Sequence, residues 1–274
     1  MLDRLWTPEL GSFLQDLLDR RGPIRAVFDF DNTLVRNDFG EAVMNRLLLE
    51  GVPWIEDIRP FFSDAETGTK LNELRKKDGN AFQKQTWKFY ETVHEAEGLE
   101  ASYRWSTWIF SGRSDSELRR TAREVWEENR KSSSSEAVRP YAALIELVRE
   151  FRKNGADLWI VTASPQGVIQ EVSSVWGIPE DRVLGVELEE ESGILKRGVK
   201  EPFTYGSGKV RRILEATGGE GYEIAFGDTE NDFPLLENSK LQGIFLDRGK
   251  GKVPPLGSLV QPVEGWPVIS SSFP

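Results

Sequence analysis

The chain has 274 residues, 38% of them hydrophobic, and a formal net charge of −10. No apolar run approaches the ~20 residues of a membrane span, and the acidic balance opposes nucleic acid or an anionic membrane surface as partners. The absence of cysteine excludes disulfides and thiolate metal sites. The opening Met1-Leu2-Asp3-Arg4-Leu5-Trp6 lacks the basic-then-apolar pattern of a secretory leader, so the cytoplasm is the expected compartment.

Apolar residues from Leu2 to Leu18 recur at helical spacing and predict an amphipathic helix over residues 3–20, stopped by Arg21-Gly22-Pro23. The run Ile24-Arg25-Ala26-Val27-Phe28 then reads as a strand, closed by Asp29-Phe30-Asp31-Asn32-Thr33. From Asp38 to Lys131 the period is helical, with helices expected at 38–50, 68–77, 80–97, 101–111 and 114–131. Four serines, 132–135, form a flexible break. Strand and helix then alternate: a helix at 140–153, a buried strand over 157–162 and a helix opened by Ser164-Pro165. A hairpin is expected from 183–188 and 193–196, then a helix at 207–217, a strand at 222–226, a helix at 231–237 and a strand at 243–246. The tail from Val253 holds five prolines and reads as an irregular surface wrap.

Strands alternating with helices imply an α/β fold whose core is a Rossmann-like parallel sheet. The expected core comprises residues 1–36 and 138–274, and residues 37–137 form an inserted, all-helical cap. The insert begins shortly after the aspartate pair, where it would act as a lid.

Side chains two apart on a strand share a face, so Asp29 and Asp31 can address one reacting centre. Two close carboxylates resist simultaneous ionisation. A divalent cation would keep one ionised and nucleophilic while the other holds a proton as general acid. Far downstream, Tyr222-Glu223-Ile224-Ala225-Phe226 leads into Gly227-Asp228-Thr229-Glu230-Asn231-Asp232, and Asp228 could complete an all-oxygen Mg²⁺ site. Such a site suits phosphoryl transfer, which needs in-line positioning and charge neutralisation. Val161-Thr162-Ala163-Ser164-Pro165 offers a hydroxyl and backbone N–H groups at a helix start, where anions are favoured. Lys209 opposes the macrodipole of its helix by roughly 0.3–1 kcal/mol, a hint that it faces something negative.

Asp-x-Asp-x-Thr, then Val-Thr-Ala-Ser, then Gly-Lys, then Gly-Asp-Thr-Glu-Asn-Asp, in this order, resembles the haloacid dehalogenase-like (HAD) superfamily. Within it, the pattern looks like the phosphoserine phosphatase-like branch, including phosphocholine phosphatase-like members. The resemblance spans residues 24–34 and 157–247 and implies a cap inserted after the first motif. It implies that Asp29 is the nucleophile, carried through an aspartyl-phosphate, and that Asp31 is the general acid and base. Thr162 and the Ala163 N–H would bind phosphate and Lys209 would neutralise it. Asp29, Asp31 through its carbonyl, and Asp228 would hold Mg²⁺, with Asp232 and its neighbour Asn231 supporting the site from behind. Position 163 is alanine where phosphoserine phosphatases usually have glycine, and the cap has no motif that aligns, so specificity does not transfer.

Other residues have plainer readings. Ser164 suits a helix N-cap ahead of Pro165. His94, the sole histidine, reads as an exposed bystander in a charged helix. Trp54, Trp87, Trp105, Trp108 and Trp126 of the cap read as packing, with an aromatic cage for an ammonium group as the alternative. Asp38 opens a capping box with Glu41, while the resemblance offers it as a contact for a substrate amine; both readings stay open. The expected activity is a Mg²⁺-dependent phosphomonoesterase for a small phosphorylated metabolite, leaning towards amine or ammonium substrates such as phosphoserine, phosphoethanolamine or phosphocholine. A haloacid dehalogenase, with no use for Asp31 or a metal cluster, is disfavoured. A phosphotransferase or phosphomutase of the same fold and a non-catalytic binding protein remain as alternatives.

Overall fold

The structure, a computed structural model, describes residues 5–20, 22 and 24–269. The chain divides into two compact units: residues 1–39, 126–186 and 202–274 form the first, and residues 40–125 and 187–201 the second. The expected helix start at residue 3, and Arg21 and Pro23 of its stop, lie outside the described residues. The helix itself, α1, spans Pro8–Asp19.

The first unit is built on a six-stranded sheet. Its strands are β1 (Arg25–Phe28), β4 (Asp157–Pro165), β5 (Val183–Val186), β8 (Ile224–Gly227), β9 (Gln242–Asp247) and β10 (Leu259–Pro262). Their order is β10-β9-β8-β1-β4-β5, and every neighbouring pair is parallel. From β1 the chain builds outward through β4 and β5, then returns to β8 on the other side of β1. That reversal puts a crevice at the carboxyl ends of β1 and β8, where open α/β sheets hold their ligands. Two short strands, β2 (Val35–Arg36) and β3 (Arg139–Pro140), pair antiparallel beside the sheet.

Burial on both faces explains the near-continuous apolar runs of these strands. Val27, Trp159, Val161, Ala225 and Phe245 form one core cluster with Val210 and Ile213 of α9 (Ser207–Ala216) and Leu235 and Leu236 of α10 (Phe233–Glu237). The alternate residues Phe28 and Phe226 stack on each other with ring centroids 4.6 Å apart. Each such buried side chain contributes about 1.5–3 kcal/mol. Helices α7 (Ala142–Lys153) and α8 (Gln166–Gln170) flank β4 in the chain.

Two expectations change here. Residues 183–186 are an edge strand of the main sheet, not a hairpin arm, because they pair with Ile160, Val161 and Pro165 of β4. The proline-rich tail contains β10, an edge strand on β9, with Pro262 at its end where a missing N–H is tolerated.

The second unit holds most of α2 (Phe39–Leu49), then α3 (Ala65–Leu74), α4 (Gly79–Glu97), α5 (Leu99–Ser106) and the first part of α6 (Asp115–Lys131). Asp64 and Asp78 cap α3 and α4 by accepting backbone N–H bonds. Trp105 and Trp108 pack edge-on against Phe62, and Trp108 stacks on Phe61 at 5.0 Å, which is the packing reading of the cap tryptophans. This unit is not all-helical. The hairpin of β6 (Leu188–Glu191) and β7 (Ile194–Val199) belongs to it, tied by Gly112 N–H to the Leu195 carbonyl at 2.8 Å and by the Thr107 hydroxyl to the Arg197 carbonyl at 2.9 Å. Nor does it extend to residue 137. Trp126 lies in the first unit, with its ring 5.3 Å from Phe39 and 6.1 Å from Trp176. Among the described residues, no helix is long and apolar enough to cross a membrane.

Candidate active site

Asp29 follows β1 directly, and its N–H donates to the Phe226 carbonyl of β8 at 2.9 Å. The chain then turns sharply through Asn32 and Asn37, both at positive φ (57° and 68°), a conformation asparagine tolerates better than most residues. The Asn32 N–H reaches the Asn37 carbonyl at 3.1 Å and closes the turn. Phe30 is buried between the two aspartates and meets Trp176 edge-on at 5.2 Å. With Phe30 anchored in the core, Asp29 and Asp31 face away from it.

At the end of β8, Asp228 and Asp232 complete an acid cluster. Asp29, Asp228 and Asp232 each bring a carboxylate oxygen within 4.8 Å of the others, and all three are buried. Asp232 is fixed from several sides. Its Oδ2 accepts the N–H groups of Asp228 (3.0 Å) and Thr229 (3.1 Å), forming a capping box with Thr229. Its Cβ lies so close to Gly227 that a side chain there would collide with it. The Asp232 Oδ1 accepts from the Lys209 ammonium at 2.6 Å, and the same ammonium donates to Asp29 Oδ1 at 2.7 Å. Lys209 has no solvent exposure. Burial works against its charge, but Asp232 and Asp29 outweigh that and raise its pKa. Asn231 accepts the Gly206 N–H at 2.6 Å, tying the loop before α9 to the acid loop.

The clustered carboxylates are those of Asp29, Asp228 and Asp232; the contribution expected of Asp31 to a metal is its backbone carbonyl, not its carboxylate. The Asp31 carboxylate is held elsewhere, accepting from the Phe39 N–H and the Ser164 hydroxyl, each at 2.6 Å. Ser164 is therefore not a helix cap. Strand β4 runs on to Pro165 and bulges, since its register with β5 shifts between Val161 and Pro165. The bulge puts Thr162, Ala163 and Ser164 at the carboxyl end of β4, and the Thr162 hydroxyl accepts the Ser164 N–H at 3.1 Å. Gly185 makes the bulge possible, because a Cβ there would meet the Ser164 carbonyl at 2.7 Å. Asp38 immediately precedes α2, and His94 is exposed on α4.

Sequence reasoning missed Arg248, just beyond β9. Its Nη2 lies 2.6 Å from Asp228 Oδ2, yet that oxygen remains buried without a hydrogen bond of good geometry. The Thr33 hydroxyl donates to Asp228 Oδ1 at 3.4 Å. Nothing in the local sequence Asp247-Arg248-Gly249-Lys250 distinguishes this arginine from a surface one. Burial and then Asp232 push Asp228 up to about 7, and the same two causes hold Asp29 well above the usual carboxylate range, against the lowering effect of Lys209. An all-oxygen donor set of buried carboxyl groups, reluctant to charge alone, fits a small hard cation such as Mg²⁺.

A family model described as haloacid dehalogenase-like hydrolase matches residues 26–237. No curated protein matches the sequence. Among solved structures, the chain is similar to a functionally unknown protein from Anaerococcus prevotii, with TM-score 0.70, 17% identity and coverage of 92% of this chain and 89% of that one. It is also similar to a protein of unknown function from Bordetella pertussis, with TM-score 0.57, 18% identity and coverage of 84% and 93%. A HAD family hydrolase from Salmonella enterica serovar Typhi aligns with TM-score 0.50, 14% identity and coverage of 87% and 72%. At these identities the structural likenesses speak for the fold, while the family match covers most of the chain, acid cluster included. The chain belongs to the haloacid dehalogenase-like hydrolases.

Proposed function

We propose that the protein is a Mg²⁺-dependent phosphomonoesterase of the phosphoserine phosphatase-like branch. The observation that carries this reading is the buried Lys209 ammonium bridging Asp29 and Asp232, beside Asp228, at the carboxyl ends of β1 and β8. One carboxylate is thereby positioned as a nucleophile next to a fixed positive charge, as in-line transfer of a phosphoryl group requires.

In this reading an Asp29 oxygen attacks phosphorus and the bond to the leaving oxygen breaks. Asp31 gives its proton to that oxygen, releasing an alcohol and leaving an aspartyl-phosphate. Asp31 then takes a proton from water, whose oxygen attacks phosphorus, and inorganic phosphate and free Asp29 are regenerated. Thr162 and the Ala163 N–H hold the phosphoryl oxygens, and Lys209 offsets their charge. Asp29 and Asp228 would hold Mg²⁺ with the Asp31 carbonyl, while Asp232 orients Lys209 and the acid loop. When bound, the ion supplies charge neutralisation and keeps Asp29 ionised.

The substrate is a small phosphomonoester, with a lean to those bearing an amine or ammonium group. The net charge of −10 and Asp38 beside the catalytic turn support the lean. The packed tryptophans of the second unit withdraw the aromatic-cage argument. Phosphate release from a panel of phosphomonoesters with Mg²⁺ tests both levels. Turnover of phosphoserine, phosphoethanolamine or phosphocholine above neutral sugar phosphates is expected. The reverse preference removes the lean, and no turnover of any member with Mg²⁺ removes the phosphatase reading. Adding an acceptor alcohol separates hydrolysis, which yields inorganic phosphate, from phosphotransfer, which yields a new ester.

A further inference from the structure

We propose that Ser164 is a positioning residue for the proton donor, and that its hydroxyl fits the enzyme to phosphate esters with poor, alkyl leaving groups. This rests on the phosphatase reading, in which Asp31 protonates the departing oxygen.

The geometry is specific. Both Asp31 carboxylate oxygens accept bonds of 2.6 Å, Oδ1 from the Phe39 N–H and Oδ2 from the Ser164 hydroxyl. The donors come from parts of the chain far apart in sequence, and each is rigidly mounted. Phe39 is fully buried, with its ring against Phe30 at 6.4 Å and Trp126 at 5.3 Å. Ser164 is buried in the β4 bulge, its N–H bonded to the Thr162 hydroxyl and its carbonyl against the face of Gly185 that has no side chain. A donor on one oxygen constrains the carboxyl less than a donor on each. The two donors also differ in chemistry. A backbone N–H only donates, whereas a hydroxyl both donates and accepts. The Ser164 contact can therefore persist while Asp31 gives up and regains its proton.

An aryl leaving group departs as a stabilised anion and gains little from protonation. An alkoxide leaves poorly and depends on it. A misplaced acid therefore harms alkyl phosphates selectively, while a general loss of structure harms every ester alike. The value of kcat/KM reports the first transfer even when hydrolysis of the aspartyl-phosphate limits kcat.

The experiment measures kcat/KM with Mg²⁺ for p-nitrophenyl phosphate and for an alkyl phosphomonoester that the wild type turns over, using wild type, Ser164→Ala and Ser164→Thr. Thermal melting of each variant reports folding. Ser164→Ala should lose roughly tenfold to hundredfold on the alkyl ester and no more than about threefold on the aryl ester. Ser164→Thr, which keeps the hydroxyl, should recover most of the alkyl activity. An equal loss on both esters, no loss on either, or no recovery by a folded Ser164→Thr overturns the assignment. A wild type inert towards every phosphomonoester overturns the phosphatase reading as well, so failure of that reading is told apart from failure of the Ser164 assignment alone.

Discussion

The Lys209 ammonium, wholly shielded from solvent, donates to Asp29 Oδ1 across 2.7 Å. With Asp232 on its other side at 2.6 Å, the lysine holds two buried carboxylates that would otherwise repel each other. Replacing Lys209 with Met keeps the side-chain volume and removes the charge. Breaking a buried pair in this way costs about 3–5 kcal/mol. Urea unfolding in EDTA should show that loss, and activity with Mg²⁺ should fall by at least about a hundredfold through lost transition-state charge stabilisation. Unchanged stability would mean that the acids are neutral in the native state and need no counter-charge.

Asp29→Asn retains an oxygen that can accept from Lys209 but loses the nucleophile. The fold should persist by circular dichroism while turnover falls by more than about a thousandfold. Activity near that of the wild type would end the mechanism.

Asp228 is flanked by Arg248 at 2.6 Å, and its buried Oδ2 lacks a well-formed hydrogen bond. Asp228→Asn should weaken Mg²⁺ binding, measured by calorimetry, at least tenfold. Arg248→Gln should tighten it several-fold, because a fixed guanidinium repels a divalent cation at the same carboxylate. Weaker binding in Arg248→Gln would instead make the arginine a support that orients Asp228 for the metal.

At the opposite, amino-terminal end of the sheet, Asp157 bonds Arg25 at 2.7 Å and Arg182 at 3.0 Å. Burial acts to raise its pKa, but hydrogen bonds, these two among them, outweigh it and hold the carboxyl below its usual value. A lowered folded pKa gives stability that is present above the unfolded value of about 3.9 and is lost as pH falls through the folded one. Asp157→Asn should therefore be about 0.5–1 kcal/mol less stable than wild type at pH 7, after allowance for solvent screening. The gap should narrow towards pH 3 in urea titrations. A gap independent of pH would point to packing instead of charge.

Much of the catalytic end was readable before folding. Asp29 and Asp228 each end a buried apolar run, and such runs become adjacent parallel strands when helices alternate with them. Lys209 was legible through its unfavourable place in the first turn of α9. Ser164 was misread because a serine before Pro165 has the local signature of a helix start, whereas strand β4 continues through it and bulges against Gly185. Such a bulge depends on a partner strand twenty residues downstream, which periodicity cannot show. Arg248 and the place of the expected hairpin in the second unit escaped for the same reason, since both follow from contacts remote in sequence. Asp232, expected only behind the site, both closes a capping box with Thr229 and brings a carboxylate oxygen into the cluster with Asp29 and Asp228.

The most direct test of the account is rapid acid quench of enzyme, Mg²⁺ and a turned-over phosphomonoester, followed by peptide mass spectrometry. The account predicts a phosphoryl group on the peptide carrying Asp29, absent when Asp29 is replaced by Asn. Steady turnover with the label on another residue, or direct transfer of phosphate to water with no labelled peptide under single-turnover conditions, would contradict it.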